Sequence, residues 1–246
     1  MEWSRLAILA AAMFLSGTLL NAVAVLAGGL IGTFLGDRLP ERLRENLMRA
    51  VGLFTLVMGA KFALETGQLL ILLFSIVIGG ALGSLASLDR RLTALGDALQ
   101  RRFGRGRGSV SEAFVMSTIV FCVGPLTFLG AIQNGLTGDA TLLVIKSVLD
   151  GTSAIAFAAS LGWGVLLSIV VILVYQGGVA AGATFLQGAL SERQLQEMSA
   201  TGGLLIIGVG LKLLRIKDVG VADFLPAILV APLLVALADA GGRLIR

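Results

Sequence analysis

The chain is predicted to be an all-α polytopic membrane protein of about eight transmembrane helices, or seven if one segment is re-entrant. Two inverted three-helix repeats flank a central broken-helix hairpin. Three observations predict this. Of 246 residues, 57% are hydrophobic and only 14% charged, with a mean hydropathy of +0.95, more apolar surface than a water-soluble core can hide. Residues 39–64 and 190–215 align without a gap and agree at Leu39/Leu190, Glu41/Glu192, Arg42/Arg193, Gly52/Gly203, Leu53/Leu204, Gly59/Gly210 and Lys61/Lys212, and internal duplication marks many transporters. Arginine is concentrated in particular connections, and that bias orients the spans.

Residues 1–12 read as an N-terminal extension, 13–87 as the first transmembrane repeat, 88–112 as a basic cytoplasmic loop, 113–160 as a central polar hairpin and 163–240 as the second repeat. The run from Leu6 to Leu35 carries no charge and is too long for a secretory signal core. Gly28, Gly32 and Gly36 recur in it at four-residue intervals, a packing seam for another helix. About twenty apolar residues cross a bilayer, and eight segments qualify: 13–35, 47–64, 68–87, 113–132, 140–160, 163–187, 200–214 and 222–240.

Arg90, Arg91, Arg101, Arg102, Arg105 and Arg107 place the 88–112 connection inside. Counting spans then puts the elbow with Arg38, Arg42, Arg44 and Arg49 inside as well, and its weaker duplicate around Arg193 outside. Lys212, Arg215 and Lys217 return to the inside. The arginine bias therefore reverses between the copies, although Arg243 and Arg246 fall outside against the rule.

The polar residues at depth lie mostly between the repeats. Pro125, after Gly124, removes a backbone donor and breaks the helix leading to Gln133, Asn134 and the Thr137-Gly138-Asp139 turn. Lys146 and Asp150 stand four residues apart on one helical face, with Thr152 and Ser153 following. Two readings are open: an ion pair that joins helices, or a cation or proton site. In the second, Asp150 is the charged ligand, the hydroxyls add oxygens and Lys146 is a tethered counter-ion. Asn21 and Gln176, amides within apolar runs, fit interhelical hydrogen bonds or ligand contacts. Asp223 reads as a helix cap before Leu225-Pro226.

No histidine and a single cysteine, Cys122, argue against zinc, haem or disulfide chemistry, and no cofactor is expected. Any metal would be a hard cation at Asp150. Nothing resembles a catalytic constellation, so the chain reads as no enzyme. Its excess of four positive charges reflects topology and gives no case for nucleic-acid binding.

The chain resembles the YqgA/YdfK family of uncharacterised bacterial inner-membrane proteins. The resemblance rests on Gly17-Thr18 with Asn21, Gly28-Gly29, Leu39-Pro40-Glu41-Arg42, Phe121-Cys122, Gly135-Leu136-Thr137-Gly138-Asp139, Lys146-Ser147 with Leu149-Asp150, Leu161-Gly162 and Gly202-Gly203-Leu204-Leu205. It implies a multi-pass protein of the bacterial cytoplasmic membrane and supplies no activity. Members often carry an acid near Asn134, where this chain has an amide.

Three functions follow as expectations. The first is a secondary transporter or exporter of a small cation or metabolite, the second an ion channel. The third is a membrane scaffold or sensor whose Arg90–Arg107 segment binds a cytoplasmic partner or anionic lipid. The partners implied are the lipid bilayer and a small ion or metabolite, and the architecture allows a homo-oligomer.

Overall fold

The computed structural model describes residues 15–36, 38–103, 109–122, 125–183 and 190–244. The proposed extension 1–12 and Gly124 lie outside them, as do Arg105 and Arg107. The helices are α1 (Ser16–Gly36), α2 (Glu41–Ala63), α3 (Leu69–Ala86), α4 (Leu88–Phe103), α5 (Val110–Cys122), α6 (Pro125–Thr137), α7 (Thr141–Leu161), α8 (Ser168–Ala181), α9 (Glu192–Leu213) and α10 (Ala227–Leu244). Short 3₁₀ turns, Trp163–Leu167 and Val221–Phe224, precede α8 and α10.

Five elements are long and apolar enough to cross a membrane: α1, α3, α7, Trp163–Ala181 and Val221–Ala240. The α5–α6 pair, bent by 74°, makes a sixth if it is one span. The eight expected segments include 47–64 and 200–214, which overlap α2 and α9. These two helices are 23 and 22 residues long, but charged first turns lower their apolar content. Large side chains cover the outside of the clear spans: Val23, Leu30 and Phe34 on α1, Leu73, Phe74 and Val77 on α3, and Leu229, Leu233 and Leu237 on α10 are all more than half exposed. Such faces belong in lipid.

Contacts divide the chain into two compact units. The first holds α1, α5, α6, α7 and α8. Gly17 faces Leu143, Gly28 faces Gly151, Gly32 faces Ile155 and Gly36 faces Ala159, so α1 and α7 run parallel. A methyl group at Gly28 or Gly32 would overlap a backbone carbonyl of α7, which explains why the seam needs glycine. The α5–α6 pair traverses this unit. Val110, at the start of α5, lies against Gly164 just before α8, and Gly135, near the end of α6, lies against Ala180 at the end of α8. The two ends of the pair therefore lie against opposite ends of α8.

The second unit holds α2, α3, α4, α9 and α10. Within it α2 and α9 pack on each other with residue numbers running in opposite senses: Gly52 faces Leu214, Gly210 faces Leu56, Gly59 faces Ile207 and Gly203 faces Ala63. A capping box begins α9, with Ser191 and Gln194 exchanging side-chain and backbone hydrogen bonds. Two sequence expectations need correction here. The 88–112 connection is not all loop, because Leu88–Phe103 forms α4; its arginine density obscured an apolar period. Asp223 does not cap its own helix. Its carboxylate accepts from the Asp89 amide at 2.8 Å and so caps α4.

Candidate functional site

A buried polar network in the first unit links five helices. It begins at a broken ladder. In a regular helix the Phe121 carbonyl would accept the N–H four residues on, but that residue is Pro125, which has none. The freed oxygen accepts instead from Lys146 Nζ at 2.7 Å and from the Thr127 hydroxyl at 3.2 Å. The Lys146 ammonium also bonds Asp150 Oδ2, one turn further along α7. Asn21 Nδ2 donates to Asp150 Oδ2 at 3.0 Å and to Gln176 Oε1 at 3.1 Å. Gln176 Nε2 in turn donates to the Thr18 hydroxyl at 3.2 Å. Lys146 and Asp150 are 4% and 7% exposed, and Asn21 and Gln176 have no exposed surface.

Isolated charges at this depth are expensive, so the ammonium and carboxylate neutralise each other. Within the network, the acceptor without a partner among the described residues is Asn21 Oδ1; outside it, the Thr118 hydroxyl is likewise without one. Turning the Asn21 amide over would set its oxygen against those of Asp150 and Gln176, so the network fixes its orientation. The oxygens of Asp150, Asn21 and Gln176 and the Phe121 carbonyl are hard donors. Among the described residues, no group of three His, Cys, Asp or Glu is placed to hold a metal ion.

Asn134 belongs to the same unit but to a neighbouring cluster. Its Oδ1 accepts the Gly17 amide at 3.1 Å and its Nδ2 reaches Ser16 Oγ at 3.3 Å, which satisfies the first turn of α1. Gln133 turns to the surface and donates to Asp139 at 2.6 Å. The exposed Asp139 carboxyl is held below its usual range, first by the Thr141 hydroxyl, then by the Thr141 amide and by Gln133. Thr152 is exposed and bonds to carbonyls of its own helix, while Ser153 is half-buried on α7.

Sequence reasoning missed the Phe121 carbonyl and the Thr18 and Thr127 hydroxyls in the network, and Glu197 outside it. The Phe121 carbonyl is main chain and carries no side-chain signal, although Pro125 four residues later was the available clue. Glu197, in the second unit, has no exposed surface. Its carboxylate accepts from Thr66 Oγ1 at 2.6 Å, Gly67 N at 2.8 Å and Gln68 N at 3.0 Å, and so closes the start of α3. A cavity of about 180 Å³ in the second unit, lined by Glu45, Met48, Arg49, Leu213, Leu214 and Arg215, contains none of the network residues.

Several apolar spans around a buried, ion-paired polar network define a helical membrane protein. Within that class, the chain belongs to the family described as "Protein of unknown function (DUF554)", which matches residues 16–236. It is 27% identical over 230 residues to the "Uncharacterized membrane protein YdfK" of Bacillus subtilis (strain 168), covering 92% of this chain and 98% of that protein. It is 32% identical over 220 residues to the "Uncharacterized protein YqgA" of Escherichia coli (strain K12), covering 87% and 94% respectively. No solved structure matches the chain.

Proposed function

We propose that the protein is a secondary transporter or exporter of a small hard cation across the bacterial cytoplasmic membrane, and not an enzyme. Asp150 is the charged ligand, Lys146 its resident counter-ion, and Asn21 and Gln176 supply neutral oxygens. The observation that carries this reading is the composition of the Asp150 surroundings. Its partners are side chains from α1 and α7, and Lys146 is shared with a carbonyl already released from the helix ladder. All of these groups can exchange partners without unwinding a helix.

The packing of the duplicated helices supports alternating access. The copies are offset by 151 residues, and that offset converts the Gly52–Leu214 contact into Gly203–Ala63, and Gly59–Ile207 into Gly210–Leu56. Helices that exchange in opposite senses suit inverted repeats. On this reading α2 and α9 are the two spans that raise the number to eight. The Glu65 turn meets the Gln196 elbow at 2.6 Å, in keeping with both lying on the outer side, as arginine counting places them.

The test is a thermal-shift screen of the purified protein against alkali and alkaline-earth cations, Mn²⁺, amino acids and small acids. Flux into proteoliposomes follows for any hit. At least one cation should raise the melting temperature of the wild type and fail to raise that of Asp150→Asn. No shift together with no flux would remove the transport reading, and unitary conductance steps would replace it with a channel.

A further inference from the structure

We infer that α4 is a docking surface for anionic phospholipid at the membrane–water boundary, independently of what the polar network carries. The helix starts one residue after α3 ends, at Ser87, whose φ of 52° turns the chain out of the span. Its Asp89 amide is held by Asp223, at the start of the Val221–Ala240 span. Two spanning elements thereby fix the beginning of α4 at the level where both emerge.

By helical register Leu88, Leu92 and Leu95 fall on one stripe. Arg91 and Arg102 border that stripe, and Asp97 stands opposite it. The Asp89 side of the helix packs near Gly220. Leu95 is 50% exposed, and Leu85, on the last turn of α3, is 85% exposed. The apolar edge of α4 is therefore continuous with a lipid-facing span, which favours lipid over a protein partner as its cover. Four exposed arginines, Arg90, Arg91, Arg101 and Arg102, outnumber the two aspartates of the helix. The turn after α9 adds Arg215 and Lys217 in the same unit. An apolar stripe bordered by guanidinium groups suits an acyl boundary beneath phosphates, where each basic group adds attraction to an anionic surface.

The experiment places single spin labels at Leu95 and at Asp97 in full-length protein carrying Cys122→Ala. The proteins are reconstituted in vesicles of phosphatidylcholine alone or with one-quarter phosphatidylglycerol. In the mixed vesicles the Leu95 label should be accessible to oxygen and shielded from a water-soluble nickel chelate, and the Asp97 label should behave the opposite way. The combined Arg91→Gln and Arg102→Gln variant, at the border of the stripe, should lose roughly tenfold of the phosphatidylglycerol enrichment in co-purified lipid. Equal chelate access at both labels would overturn the proposal. So would a Leu95 label shielded from both reagents, which would mean a protein cover, or unchanged lipid enrichment in the arginine variant.

Discussion

Asp150 and Glu197 are both buried carboxylates on membrane-protein helices, yet they are satisfied in different ways. Glu197 accepts from a hydroxyl and two backbone amides of one turn, so its donors are fixed by the chain that carries them. Asp150 is held by the ammonium of Lys146 and the amide of Asn21, two side chains that have other partners within reach. The first arrangement is a pin; the second, on the proposed transport reading, is an exchangeable set. A buried charge therefore signals function less by its depth than by whether its partners can let go.

The largest expected effect is on the pin. Glu197→Ala strands the Gly67 and Gln68 amides and should cost about 3 kcal/mol or more, seen as a lower melting temperature with or without ligand. Asp150→Asn should instead abolish flux and ligand-dependent stabilisation while expression and fold persist. Comparable destabilisation by Asp150→Asn and Glu197→Gln, with flux retained in the former, would erase the contrast between the two carboxylates.

A smaller effect sharpens the origin of the exchangeable set. Pro125→Ala restores an N–H that competes with Lys146 for the Phe121 carbonyl. It should weaken ligand-induced stabilisation while changing the stability of the unliganded protein by about 1 kcal/mol or less; unaltered ligand response would show that the carbonyl is a bystander. The smallest change is Ser16→Ala, which removes the exposed hydroxyl that accepts from Asn134 Nδ2 at 3.3 Å and should cost about 0.5 kcal/mol. A clear loss of flux in that variant would extend the exchangeable set to the Ser16–Gly17 cluster.

Much of this was legible in the sequence for local reasons. Apolar length announced the clear spans, glycine spacing announced a packing seam on α1 without naming α7 as its partner, and the four-residue interval put Lys146 and Asp150 on one face. The convergence of Asn21 and Gln176 was not legible, because they lie 129 and 155 residues from the groups they bond, across helices whose pairing no local pattern encodes. Glu197 looked like one more charge in a polar elbow, since a sequence does not reveal which loop will fold back onto a carboxylate. In α4 the arginines outweighed the leucines when composition alone was read, and only the helical period separates the two faces.

The reciprocal seam between α2 and α9 also constrains which substitutions the protein can accept. A side chain added at Gly59 must be accommodated by Gly203 and Ile207, and one added at Gly210 by Leu56. Each helix is thus the mould for the other, so a larger residue at one of these glycines requires a matching loss of volume on the facing helix.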